Sequence, residues 1–241
     1  MEIMARLLFV FFISVVHLNM MAQNPLAITG QVKCQGDGVA NVVVTNGFDC
    51  VLTDASGKYT IPYHRDARFV YVTTPAGYLP QRDGSLPLFY QHIIEGTFIY
   101  DFSLVKNPRN DDRHLFLVQA DVQLGKGEDV AAYAEYLKDM REFINRHSEY
   151  DLFVLDCGDI VGNALSLFPS YKQTSDVLDV PMYRVIGNHD MEYGVRSYEH
   201  SYKTYEECFG PIYYSFNRGK AHYIVLDNCY YINRHYRYIG Y

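Results

Sequence analysis

The amino-acid sequence predicts two folded units in series: a small all-β sandwich, then an α/β sheet domain. Three observations carry this. From about Leu26 to Leu104, short β-rich runs are separated by Gly, Asp and Pro turns. From His114 onward, apolar strand-like runs alternate with stretches of helical periodicity, which implies right-handed crossovers and a largely parallel strand order. The three strands of that second region each end in a polar loop, and open α/β sheets place their ligands at the carboxyl ends of strands.

The chain has 241 residues, a hydrophobic fraction of 49% and a net charge of −7, which suits a folded soluble protein of one or two domains. The acidic balance argues against duplex nucleic acid as a partner, because phosphate backbones need a basic footprint. It leaves open a small phosphorylated substrate held by metal ions.

Residues 1–22 read as a signal peptide. Met1 to Arg6 carries one basic residue, Leu7 to Val16 is a nearly pure apolar run, and Met20-Met21-Ala22-Gln23 offers a small residue for cleavage. The run is short for a transmembrane span, so contact with a membrane is expected only through this segment. The mature protein is expected to start near Gln23 and to work in the periplasm or outside the cell. Five cysteines, Cys34, Cys50, Cys157, Cys208 and Cys229, include no C-x-x-C pair, which argues against a zinc-thiolate site. Cys34 and Cys50 either pair in an oxidising compartment or stay isolated buried thiols. Cys157 is expected to pack as a small apolar residue.

Residues 23–105 form the predicted sandwich. Ala27 to Val32, Val39 with Asn41 to Thr45, Lys58 to Ile61 and Arg68 to Thr73 are its strand runs; Gly36-Asp37-Gly38, Asp54-Ala55-Ser56-Gly57 and Pro75-Ala76-Gly77 are its turns. His64 and His92 are isolated and read as surface or packing residues. Residues 106–112 are polar, contain Pro108 and read as a linker.

Residues 113–241 make up the second domain. His114 to Val118 is a strand that runs into Gln119-Ala120-Asp121-Val122-Gln123. A helix starts between Gly125 and Asp129, with Val130, Ala134, Leu137, Met140 and Ile144 at helical spacing. Asp151 to Leu155 is the next buried strand and leads into Asp156-Cys157-Gly158-Asp159-Ile160-Val161-Gly162. A second helical stretch falls between about Ser170 and Leu178. Met182 to Ile186 is the third strand, and Gly187 lets the chain turn tightly into Asn188-His189-Asp190. The runs Tyr213 to Phe216 and Ala221 to Leu226 flank Asn217-Arg218-Gly219-Lys220, a hairpin signal.

A single Asp after a strand is usually a cap or turn residue. Three such loops in one βαβαβ unit bring carboxylate, amide and imidazole groups toward one sheet edge, a mixture that suits divalent metals such as Mn²⁺, Fe or Zn²⁺.

The motifs D-x-[H/Q] at Asp121 and Gln123, G-D-x-x-G at Gly158 to Gly162 and G-N-H-[D/E] at Gly187 to Asp190, in this order, resemble the calcineurin-like metallophosphoesterases. The likeness covers about Arg113 to Asp227 and includes Phe209 to Phe216 and His222 to Asp227. The segment Thr53 to Tyr59, T-D-x-x-G-x-Y, resembles transthyretin-like or carboxypeptidase-regulatory-like modules; with the signal segment it matches the secreted bacterial subgroup that carries an N-terminal extension.

The resemblance implies a metal-dependent phosphoesterase that hydrolyses phosphomonoesters or phosphodiesters by a two-metal, metal-hydroxide mechanism. On this resemblance Asp121 would bind the first of two divalent ions (Mn, Fe or Zn), and Gln123, where many members have His, would be a weaker neutral oxygen ligand or an indirect one. Asp159 bridges both ions, and Asn188 binds the second. His189 faces the substrate as the acid, with Asp190 orienting it. The substrate is expected to be a phosphorylated small molecule, a nucleotide or a lipid headgroup. The family completes its metal shell with a later His and a G-H-x-H loop, which this sequence does not contain. His200 and His235 lack the context, and His222 reads as a packing residue on a strand. The chain is therefore expected to be an incomplete version of the domain that binds metal weakly and hydrolyses phosphoesters poorly, while the complete protein would be competent. The alternative reading is a non-catalytic extracytoplasmic binding protein that works through its β module.

Overall fold

The computed structural model describes residues 26–232 and 235–238 of the chain; the signal segment 1–22 and the expected start near Gln23 lie outside the described residues. The N-terminal unit is a two-sheet sandwich. One sheet has the order β2-β1-β10-β7-β8, from Asp37–Gly38 (β2), Ala27–Cys34 (β1), Phe102–Lys106 (β10), Tyr78–Asp83 (β7) and Leu86–Leu88 (β8). Lys58–Pro62 (β5) pairs along β1 as well. The other sheet has the order β4-β3-β6-β9, from Cys50–Leu52, Val43–Thr45, Phe69–Thr73 and Tyr90–His92. Ile28, Val32, Ile61, Phe102 and Leu104 from the first sheet meet Val44, Val70 and Val72 from the second in one buried cluster. β3 starts only at Val43, because Asn41 turns the chain with φ 59°.

The Thr53 to Tyr59 motif is explained residue by residue. Thr53 Oγ1 accepts from Val42 N–H (2.9 Å) and donates to the Val39 carbonyl (2.7 Å). Asp54 Oδ1 accepts the N–H groups of Ser56 and Lys58, closing an Asx turn. Gly57 has φ 77°, and a Cβ there would sit 2.3 Å from the Val32 carbonyl oxygen. The Tyr59 hydroxyl donates to the Tyr100 carbonyl (2.5 Å).

The second unit holds a parallel sheet of His114–Gln119 (β11), Asp151–Asp156 (β12) and Met182–Arg184 (β13), in that order. Helix α1 (Gly127–Arg146) buries Tyr133, Leu137, Met140 and Ile144. Its first turn is capped by Asp129, whose Oδ2 accepts the N–H groups of Gly125 and Lys126. Helix α2 (Phe168–Ser175) begins two residues before the expected start and tightens into a 3₁₀ turn over Asp176–Leu178. Two short helices, α3 (Tyr198–Ser201) and α4 (Lys203–Phe209), precede the hairpin of β14 (Tyr214–Arg218) and β15 (Ala221–Val225). Arg218 pairs with Ala221, so the turn is the two residues Gly219 and Lys220. A second hairpin joins β16 (Cys229–Ile232) to β17 (His235–Tyr238).

Side chains alternate along β12. Leu152 and Val154 pack with α1 and α2 on one face of the sheet. Phe153 goes to the other face, where Tyr183, Tyr214 and Phe216 join the sandwich core. Tyr183 and Phe216 stack at 3.7 Å. Backbone bonds from Asn217 N–H to Thr74 O (2.9 Å) and from Met182 N–H to Ser85 O (2.8 Å) tie the two units together. So does Arg68, which grips the buried Glu206 carboxylate through Nε (2.7 Å) and Nη2 (2.8 Å).

All five cysteines are free thiols. Cys34 is on β1 and Cys50 on β4, in different sheets, so the two are isolated thiols, but not buried ones as expected: Cys34 is half-buried and Cys50 exposed. Cys157 does not pack as an apolar core residue as expected; it is exposed at the end of β12. Among the described residues, no helix is long and apolar enough to cross a membrane.

Candidate metal centre

The loops after β11 and β12 continue the sheet's pairing beyond the strands. Asp121 N–H donates to Gly158 O (3.0 Å), Gln123 N–H to Asp159 O (2.9 Å) and Leu124 N–H to Ile160 O (3.1 Å). Asp121, Gln123 and Asp159 all adopt left-handed backbone angles, with φ 54°, 49° and 51°. Non-glycine residues rarely sit there, and such strain concentrates at functional sites. The Gln123 side-chain N–H₂ lies 3.4 Å from both Asp121 Oδ1 and Asp159 Oδ2, so its amide spans the two carboxylates.

The third loop is locked onto the second. The backbone N–H of His189 donates to Asp159 Oδ1 (2.9 Å). Gly187 has an ordinary φ of −104°. The tight turn expected of it is not why glycine stands here: a Cβ would lie 2.1 Å from Asp159 N and 2.2 Å from Asp159 Oδ1. Glycine is required for close approach. Asn188 is buried at the start of the 3₁₀ turn Asn188–Asp190.

Asp121, Asp159 and Asn188 line one cavity of about 190 Å³, together with Cys157, Asn228 and Cys229. Asn228 and Cys229 escaped the sequence reading. The signal was there: Asp227-Asn228 follows the β15 run just as the other polar loops follow their strands. Burial, reinforced by the Asp227, Asp159 and Asp190 carboxylates, pushes the Cys229 thiol up to about 12.

His189 turns Nδ1 to the side-chain oxygen of Asn163 (2.9 Å). Asp190 was expected to orient that ring. Instead its carboxylate is fully buried beneath the loops, where Oδ2 accepts Gly187 N–H (2.8 Å) and Ile160 N–H (3.2 Å) and Oδ1 accepts Val161 N–H (3.0 Å). As the third residue of a 3₁₀ turn, its side chain folds back toward the turn's own start. Burial pushes the Asp190 carboxyl up to about 7, against the pull of those three donors.

Beneath the three loops, Gln119, Asp156 and Arg184 sit side by side in the strand register. Gln119 Nε2 donates to Asp156 Oδ2 (2.7 Å), and the Tyr171 hydroxyl donates to the same oxygen. Arg184 Nη2 donates to Ser85 Oγ and Ser175 Oγ, both at 2.8 Å. Burial raises the Asp156 carboxyl. In sequence Gln119 and Asp156 read as the first residues after their strands and Arg184 as the middle of its own, and only the register makes them a row.

Among the described residues, the later histidines His200 and His222 are not in the cavity lining. His200 Nδ1 meets Ser197 Oγ (2.7 Å), and His222 Nδ1 meets Asn217 Oδ1 (2.6 Å). His222 is exposed on the hairpin, so the expectation that it packs is corrected. The side chain of His235 lies outside the described residues. Among the described residues, no group of three or more His, Cys, Asp or Glu could hold a metal ion. The cavity brings together the carboxylates of Asp121 and Asp159, the amides of Asn188 and Asn228 and the thiols of Cys157 and Cys229, with the Gln123 amide beside the two carboxylates. The carboxylate and amide oxygens fit a divalent cation.

Comparison with known proteins gives two family matches. The N-terminal module of calcineurin-like phosphoesterases matches residues 26–107, and the calcineurin-like phosphoesterase domain matches residues 114–237. No curated protein matches the chain. Among solved structures, it is similar to that of purple acid phosphatase PPD1 isolated from yellow lupin (Lupinus luteus) seeds, at 12% identity and a TM-score of 0.35. The match covers 78% of this chain, which spans only 40% of the lupin chain.

Proposed function

The chain belongs to the calcineurin-like phosphoesterase family, and on that footing we propose that it hydrolyses a phosphoester at the Asp121–Asp159–Asn188 cavity with bound divalent cations. The observation that carries this is the convergence of three strand-end loops. Asp121, Gln123 and Asp159 are held in strained left-handed conformations, and Asp159 is bonded directly to the loop of His189.

Two cations held there would supply Lewis-acid stabilisation of the phosphoryl charge and activation of the nucleophile. Asp159 would contribute to holding both, Asp121 and Gln123 to holding one, and Asn188 to holding the other. As a ligand, Gln123 would present its amide oxygen in place of the N–H₂ it now turns to the carboxylates. An amide oxygen only accepts, so the hydrogen between His189 and Asn163 resides on Nδ1. Proton delivery to the leaving oxygen then runs through Nε2, with Asn163 fixing the ring. Asp190 holds the loops together through backbone N–H groups and takes no part in orienting the imidazole. A phosphorylated small molecule, nucleotide or lipid headgroup is the proposed substrate, and the apolar run Leu7 to Val16 supports an extracytoplasmic setting.

The test is hydrolysis of 4-nitrophenyl phosphate and bis(4-nitrophenyl) phosphate with and without Mn²⁺. Turnover that requires Mn²⁺ and falls about 10²- to 10⁴-fold in His189→Ala supports the proposal. Absence of turnover from protein shown by calorimetry to bind Mn²⁺ contradicts it.

A further inference from the structure

A second, larger cleft of about 510 Å³ opens beside the carboxylates, between the loop after β11 and the first turns of α1. We propose that it binds a neutral, planar, hydrogen-bond-donating group, and that this group is the leaving-group side of the phosphoester. The second half of this statement rests on the proposed function; the first does not.

Size, charge, shape and an unmet acceptor point the same way. The volume falls within the roughly 300–1,000 Å³ of small-molecule pockets. Among the described residues, no Lys, Arg or His lines the cleft. The carboxylate among them is Asp129, whose Oδ2 is occupied by the Gly125 and Lys126 N–H groups that cap α1. A phosphate does not belong in such a lining, whereas an uncharged group does.

The wall is a ladder of tyrosine rings. Tyr171 and Tyr133 stack at 5.3 Å, Tyr133 and Tyr136 follow at 6.2 Å, and the ladder ends on the exposed ring of Tyr136. A further planar ring extends it with the offset stacking that aromatic groups favour. At the floor, Gln119 is buried and commits Nε2 to Asp156 (2.7 Å) and to the Tyr133 hydroxyl (3.0 Å). Among the described residues, its Oε1 has no partner. A buried acceptor without a donor calls for one, and an N–H or O–H on the bound ring supplies it.

Gln123 joins this cleft to the chemistry. It lines the cleft, and its amide nitrogen is 3.4 Å from oxygens of Asp121 and Asp159. An ester with its phosphoryl group at those carboxylates and an aryl or nucleobase-like group in the cleft spans the two compartments past a single side chain.

The experiment uses the full chain without added metal. Benzamide is the planar amide probe and cyclohexanecarboxamide the non-planar control, with binding read by saturation-transfer NMR and titration. Benzamide is expected to bind wild type and Asp159→Asn alike. Tyr136→Ala, an exposed position, is expected to weaken benzamide about 5-fold, and the cyclohexane amide to bind about 5-fold more weakly than benzamide. No benzamide binding, equal binding to Tyr136→Ala, or equal binding of both amides overturns the cleft assignment. Failure to hydrolyse 4-nitrophenyl phosphate with benzamide binding intact removes the phosphoesterase reading and leaves the planar-group site standing. Turnover without benzamide binding removes the cleft alone.

Discussion

The backbone N–H of His189 donates to Oδ1 of Asp159 at 2.9 Å, so the acid-bearing loop hangs on a proposed metal ligand. Substitution of Asp159 therefore acts twice, and the two effects separate. Asp159→Asn keeps an acceptor and tolerates the left-handed φ of 51°. It is expected to cost about 1 kcal/mol in stability and at least about 100-fold in Mn²⁺ affinity. Asp159→Ala loses the acceptor and strains the backbone, for about 3 kcal/mol in all. Urea unfolding and Mn²⁺ calorimetry measure the two terms.

Asn163 acts only through the His189 ring. Asn163→Ala is expected to lower kcat about 10-fold, and to lower it no further when His189 is already Ala. A double-mutant cycle in kcat checks this; additive losses would place Asn163 elsewhere in the mechanism.

Glycine spacing gives a paired prediction. Gly187→Ala drives a methyl to 2.1 Å from Asp159 N and is expected to cost about 3 kcal/mol, with loss of Mn²⁺ binding. Gly127→Ala meets nothing within 4 Å at the start of α1 and is expected to gain about 0.5 kcal/mol. Thermal melts of both variants read the contrast.

Arg68 and Glu206 make the interface between sandwich and sheet domain sensitive to pH. Burial raises the Glu206 carboxyl above its ordinary 4.5, against the pull of Arg68. Arg68→Met removes that pull, so the folded-state value climbs further. The cost of a buried, unpaired carboxylate is then absent below pH 4.5 and grows as pH rises through the raised value. Arg68 is partly exposed, so the loss near neutral pH is expected to be about 2 kcal/mol. Unfolding curves across pH test the sign.

Much of this was legible before any coordinates. Alternation and turn residues located the sandwich strands, and every named letter of Thr53 to Tyr59 has a hydrogen bond or a close approach behind it. The strand-end motifs at Asp121, Asp159 and Asn188 converge on one cavity, because parallel strands joined by right-handed crossovers must end at the same edge. What stayed hidden depends on register and side-chain direction. Gln119, Asp156 and Arg184 became a row only through strand pairing. Asp190 adjoins His189 in sequence but turns beneath the loops, while Asn163, 26 residues away, holds the ring. Cys157 borders Asp156 at the end of a buried strand, but it lies past the last pair of the β11–β12 ladder and is exposed.

The central claim is that the Asp121–Asp159–Asn188 cavity is a metal-dependent phosphoesterase site. The most direct measurement is the rate of 4-nitrophenyl phosphate hydrolysis against Mn²⁺ concentration, for wild type and Asp159→Asn side by side. Saturable, EDTA-sensitive turnover in wild type that falls at least about 100-fold in Asp159→Asn is the predicted result. Equal turnover in the two proteins, or none from Mn²⁺-loaded wild type, would contradict it.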